Sequence, residues 1–243
     1  MKKMRTILQI TTVISLTVLP LSSAIAQSAV DQCVNKDNGF SWEQQISGCT
    51  EAIQSGKWKG KDLSWAYFNR GLAYYHEEQY DRAIQEYDHV IQVDQNYVKA
   101  YMERANAYSD KGDHDRAIAD YNLASRLAPN NPITLNNLCD ELVIIRQPRA
   151  GLANCNESLR LRPNHANTLM HRGVAYLALG EMEKALADFE ASLQLDPKEE
   201  WSLYGRGYIR VKKGDTVAGN ADIDAAKAID AKIADRFVGH GVN

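Results

Sequence analysis

The stretch Gly71–Tyr87 reads GLAYYHEEQYDRAIQEY, and the chain repeats it: residues 105–121 read ANAYSDKGDHDRAIADY and residues 173–189 read GVAYLALGEMEKALADF. The steps between copies are 34 and 68 residues, one and two lengths of a single period. Each copy opens on a small residue with an aromatic three positions later, the pairs Gly71/Tyr74, Ala105/Tyr108 and Gly173/Tyr176. An alanine follows at Ala83, Ala117 and Ala185, and four residues on comes Tyr87, Tyr121 or Phe189. Between the second and third copies a divergent one carries Cys139, Leu142, Gly151 and Cys155 at these places, and a last, weaker copy carries Gly207, Gly219, Ile223 and Ala226. Apolar residues such as Ala83, Ile84, Tyr87, Val90 and Ile91 recur at three- and four-residue spacing, the stripe of a buried helix face. Turn residues interrupt the stripes at Lys111-Gly112-Asp113, Leu179-Gly180-Glu181 and Lys213-Gly214-Asp215. Pro129, Pro163 and Pro197 stop the second stripe of three copies, because proline disfavours the helical conformation in the residue before it. Each period is therefore a helix, a turn and a helix.

This pattern resembles the tetratricopeptide repeat (TPR), a 34-residue helix-turn-helix unit with small residues at repeat positions 8, 20 and 27. The resemblance implies an all-α fold, a right-handed superhelical α-solenoid of stacked hairpins. Its five units are Ser64–Tyr97, Val98–Asn131, Pro132–His165, Ala166–Glu199 and Glu200–Ile233. The tail, residues 234–243, then forms a capping helix, with Ile233 and Phe237 on one face over the last open hydrophobic side. Three departures stand out. Repeat position 7, usually leucine, is Arg70, Arg104, Arg172 and Arg206 in four units. The closing proline is replaced by Gln95 and Ala231, and the unit from Pro132 has a Gln147-Pro148 turn and lacks the aromatics.

The N-terminus reads differently. Lys2, Lys3 and Arg5 precede an apolar run from Ile7 to Leu21, and Ala24-Ile25-Ala26 forms a small-x-small site, the layout of a secretory signal peptide (residues 1–26) cleaved after Ala26. An uncleaved anchor is the competing reading, but Pro20 and Ser22-Ser23 shorten the apolar run. Removing the signal takes three of the 28 basic residues and leaves 25 against 31 acidic ones, a net of -6. Such a chain has no general attraction for phosphate backbones or anionic lipid, which argues against nucleic acid and stable membrane insertion as partners. A composition of 44% hydrophobic and 24% charged residues excludes a disordered chain and a polytopic membrane protein. The expected location is the periplasm or the exterior of a bacterial cell.

Cys33 and Cys49 are sixteen residues apart, as are Cys139 and Cys155. The resemblance places the second pair at repeat positions 8 and 24, facing each other across a hairpin, and implies a degenerate first repeat over residues 27–63. It selects the bonds Cys33–Cys49 and Cys139–Cys155 out of three pairings. Each would close a loop worth roughly 3 kcal/mol in the chain-entropy model. Four buried thiols in place of small core residues is the other reading. Zinc fits poorly, since there is no C-x-x-C.

The search for chemistry finds no G-x-S-x-G, H-E-x-x-H or P-loop string and no metal-spaced histidines, so neither a cofactor nor a metal is expected. His171 and Asp140 are the only groups that could be named for catalysis, and the reading is not an enzyme. A surface remains. Family resemblance puts repeat positions 2, 5, 6, 9, 12 and 13 on the concave face. Those positions are Trp65, Phe68, Asn69, Leu72 and His76; Lys99, Met102, Glu103 and Asn106; Asn136, Asn137 and Asp140; Asn167, Met170 and His171; and Trp201, Tyr204 and Tyr208. Asparagine amides donate to and accept from a peptide backbone, and Trp and Tyr supply contact area at low entropic cost. The other reading of Trp65 or Trp201 is packing between neighbouring repeats. The lysine–asparagine clamp of chaperone-tail-binding members is absent, with Phe68 and Leu72 in its place. The expected function is an exported scaffold that binds a peptide or protein partner in its concave groove; the alternative is a periplasmic chaperone or cell-envelope assembly factor with broad clients.

Overall fold

The computed structural model describes the backbone of residues 21–241 and the side chains of residues 27–241. Among them are thirteen α-helices and no strand. Helices α1 (Leu21–Val34) and α2 (Trp42–Gln54) form a first hairpin, and a 3-10 turn at Gly60–Leu63 leads to five more. These are α3 (Ser64–His76) with α4 (Tyr80–Val93), α5 (Val98–Asp110) with α6 (His114–Leu127), and α7 (Pro132–Ile144) with α8 (Pro148–Leu161). Then come α9 (Ala166–Ala178) with α10 (Met182–Leu195), α11 (Glu200–Lys212) with α12 (Thr216–Ile229), and a short α13 (Ile233–Gly239). The architecture is an α-solenoid. The signal-peptide expectation falls mostly outside the described residues; α1 runs unbroken through Ala26 and Gln27.

The helix crossings explain the small residues. A β-carbon added at Gly71 would lie 2.6 Å from the Tyr87 ring, and one at Gly173 would lie 2.7 Å from the Phe189 ring. Tyr87 and Phe189 are fully buried, so the ring of the second helix fills the space the small residue leaves. In two of the three hairpins that lack the aromatic a disulfide takes its place: Cys33–Cys49 and Cys139–Cys155 are bonded, and all four cysteines are fully buried, while in the last hairpin Ile223 faces Gly207.

Position 7 has its own logic. Arg70 pairs with Glu86 (2.9 Å), Arg104 with Asp120 (2.7 Å), Arg172 with Asp188 (2.7 Å) and Arg206 with Asp222 (2.7 Å), always sixteen residues on. In the last three the contact is two-pronged, Nε and one Nη each donating to its own carboxylate oxygen, the geometry in which guanidinium and carboxylate bind most strongly, whereas Arg70 reaches both Glu86 oxygens from one nitrogen. Three of these arginines also donate backwards to the preceding hairpin: Arg70 to Thr50, Arg104 to Asp88 and Arg172 to Asn156. One side chain thus pins its own hairpin and stitches it to the previous one. The unit that starts at Pro132 has Leu138 there and carries a disulfide instead.

The turn inside each of these five hairpins places one residue in the left-handed region: Glu78 (φ 57°), Gly112 (78°), Arg146 (63°), Gly180 (76°) and Gly214 (94°). Three glycines meet that demand without steric cost; Glu78 and Arg146 do not. Side-chain caps at Asp113, Asn131, Glu199 and Asp215 satisfy the first free backbone N–H groups of α6, α7, α11 and α12.

The tail does more than cap. Ile233 and Phe237 are buried, but Phe237 packs on Trp201 and Tyr204 of α11, with ring centres 5.1 and 4.7 Å away. The helix has shifted onto the face formed by the first helices, because that is where the two large rings offer it apolar area.

Candidate functional site

The first helices of the three middle hairpins, α5, α7 and α9, carry a connected line of polar side chains. Asn106 on α5 donates to Glu103 (2.9 Å) and accepts from the Tyr121 hydroxyl and from Asn137 of α7 (3.3 Å). Asn137 also donates to the Tyr121 oxygen (3.3 Å) and accepts from Asn136 (3.1 Å). The Asn136 oxygen lies 3.0 Å from His171 Nδ1 on α9, whose Nε2 lies 3.6 Å from Asp140, and Asp140 is 3.8 Å from His240 beyond α13. A parallel strand of the network joins Ser109 and His114 to Glu141, and Tyr75 to Asp110. The asparagines of the middle units are therefore bonded to one another across repeats, which fixes their orientation.

Burial sets the ionisation along this line. It pushes the Glu103 carboxyl up, against the Asn106 hydrogen bond, and raises Glu141 against those from Ser109 and His114. Burial would raise Asp140 too, but the charges of His171, His240 and Arg236 outweigh it and hold the carboxyl below its ordinary value. The Tyr121 hydroxyl is pushed up by burial.

The other groove residues divide by place. At the N-terminal end His76, exposed, stacks on Trp42 at 4.2 Å, and Gln45 donates to the Asn69 backbone carbonyl. Leu72 is half-buried and Lys99 exposed. Phe68 lies between Tyr87 and Tyr97 (5.9 and 5.4 Å), Trp65 meets Trp58 edge-on at 5.4 Å, and the Met102 sulfur accepts from Asn131 (3.4 Å). These three serve the joints between neighbouring segments. At the C-terminal end Asn167 is exposed, Met170 is buried, Tyr208 is half-buried, and Trp201 lies under the tail. Tyr204 is half-buried against Phe237.

Sequence reasoning missed Trp42, Tyr75, Tyr121, Arg236 and His240. Tyr121 sits on a second helix and reaches between the first helices, and the tail lies outside the repeat period. The period marks Tyr121 as a ring of the helix crossing and not as a groove residue, and no spacing marks the tail. His171 and Asp140 do adjoin: His171 Nδ1 faces the Asn136 oxygen and its Nε2 faces Asp140.

Comparison with known proteins agrees with this architecture. No curated protein matches the sequence. Among solved structures, the chain is similar to YrrB, described as a TPR protein with an unusual peptide-binding site, at 23% identity and a TM-score of 0.59, covering 79% of this chain and 97% of that one. It is similar to MamA from Desulfovibrio magneticus RS-1 at 18% identity and a TM-score of 0.62, covering 72% and 98%. A tetratricopeptide repeat protein from Parabacteroides merdae gives a TM-score of 0.72 at 13% identity, covering 90% of each chain. The family model described as tetratricopeptide repeat matches residues 98–131 and 166–199, and a second, described as TPR repeat, matches residues 71–112. The matched segments, the stacked hairpins and the ring-against-glycine crossings together make the chain a tetratricopeptide repeat protein.

Proposed function

We propose that this chain is a non-enzymatic, exported scaffold that binds an extended peptide or a partner's loop on the N-terminal half of its concave face. The observation that carries the reading is the polar line from Glu103 to Asn137. Its amides are held in fixed orientation by their neighbours, and Glu103 at its end lies within reach of the charges of His76 and Lys99. Preorganised amides lose little entropy when they bond a peptide backbone, and His76 on Trp42 adds an aromatic platform. Two disulfides support an oxidising compartment, as does the signal-like N-terminus. Among the described residues no helix is long and apolar enough to cross a membrane.

A photo-crosslinking residue placed at His76, Lys99 or Asn106 in the native extract is expected to capture a defined set of partners. The same residue at exposed Asp224 on α12 is expected to capture none of them. Equal capture at both places refutes the groove reading. Suppression of aggregation of unrelated unfolded proteins, with capture spread over all positions, would favour the broad-client chaperone instead.

A further inference from the structure

The last described helix occupies part of the face on which partners are proposed to bind. Phe237 lies on Trp201 and Tyr204, the Arg236 guanidinium sits 4.7 Å above the Trp201 ring, and the His240 ring meets it edge-on at 4.6 Å. His240 then reaches Asp140 on α7, and Arg146, in the turn after α7, donates to the Val238 carbonyl at 3.1 Å. A seven-residue helix thus spans from α11 back to α7, over α9. The fit is loose. A pocket of about 260 Å³ remains beside it, with apolar walls at Ile144, Met170, Val174 and Trp201 and polar ones at Ser109 and Asp110. The tether is short, since α12 ends at Ile229 and α13 begins at Ile233.

We propose that the concave surface of α7, α9 and α11 is a second docking site. Its occupant is a partner's helical segment carrying an aliphatic residue, an aromatic four residues later and an imidazole or cation beyond it. The chain's own α13 holds the site in the partner's absence. The inference rests on the reading of the concave face as a binding surface; it shares α7 with the site proposed above and adds α9 and α11 in place of α3 and α5. The pattern Ile233, Phe237, His240 is the template, because it already satisfies Trp201, Tyr204 and Asp140. A tethered occupant has a high effective concentration, so an external segment binds the intact chain with only the affinity that the open fraction allows.

The probe is a fluorescein-labelled peptide with the sequence of residues 230–243, followed by anisotropy on the full, oxidised chain. The Phe237→Ala chain is expected to bind it at least tenfold more tightly than the wild type. A peptide with its own phenylalanine changed to alanine is expected to bind neither. The doubly substituted Arg146→Ala/His240→Ala chain keeps Phe237 in the last hairpin and loses the reach to α7 together with the His240 contact on Trp201; it is expected to bind about threefold more tightly than wild type, as a partial release requires. Equal affinity for all three chains, or retained binding of the alanine peptide, overturns the proposal. Crosslinking at His76 and Lys99 with no tail exchange overturns this inference alone and leaves the N-terminal groove standing.

Discussion

Gly205 gives the sharpest test of how the hairpins stack. The fully buried Phe189 ring lies between two glycines: a β-carbon at Gly173 would come within 2.7 Å of one edge, and one at Gly205, on the next hairpin, within 2.4 Å of the other. Replacing Gly205 by alanine has two opposed effects. Helix propensity favours alanine by about 0.8–1 kcal/mol in a helix interior. Against this, a methyl group 2.4 Å from a ring carbon must displace a side chain that Gly173 blocks from behind, so the overpacking cost falls toward the upper end of about 1–3 kcal/mol. The net expectation is a loss of about 1–2 kcal/mol, read as a lower urea midpoint of the oxidised chain. Phe189→Leu removes the obstructing ring edge and costs stability by itself through the void it leaves. In that background Gly205→Ala should become neutral or stabilising, a coupling of at least about 1 kcal/mol between the two sites. A Gly205→Ala chain as stable as wild type, or strict additivity with Phe189→Leu, refutes the ring-between-glycines account.

Other expectations follow from the same contacts. Replacing Cys139 and Cys155 by serine should cost about 3 kcal/mol and speed amide hydrogen exchange in α7 and α8 well above that in α5. Glu78→Gly should stabilise the chain by roughly 0.5–1 kcal/mol, because the left-handed backbone there penalises a side chain more than glycine's added freedom in the unfolded state does; a lower urea midpoint would contradict it. Asp140 is held below its ordinary carboxyl range, so its stabilisation is complete above that range and is lost as pH falls through the lowered value. Urea midpoints below about pH 4 should therefore decline less steeply in Asp140→Asn than in wild type.

The fold was legible because its period was. Small residues, rings and turn glycines recur at fixed offsets, and each corresponds to a crossing, a filled cavity or a left-handed turn. Arg70, Arg104, Arg172 and Arg206 were visible as departures from leucine, but their role was not, although an acid sixteen residues on is present in all four cases. That spacing means nothing until the hairpin folds back on itself. The candidate groove was partly legible. Repeat positions locate a residue on a face but do not say whether a neighbour has already claimed it: Phe68 and Trp65 went to joints between segments, and Trp201 went to the tail. The tail's own path was illegible, because a single helix without a periodic partner records no register.

The missing arginine at Leu138 has a mechanical consequence. Without it, no guanidinium among the described residues crosses the joint between residues 127 and 132 from α7 back to α6, and Leu138 packs there with Ala105, Tyr108 and Tyr121 of the preceding hairpin. Beyond that joint, Arg146 ties the turn after α7 to the C-terminal helix. The polar rung of Asn106, Tyr121 and Asn137 spans this same joint on the inner side. A peptide seated there would bridge the two hairpins that no arginine ties together.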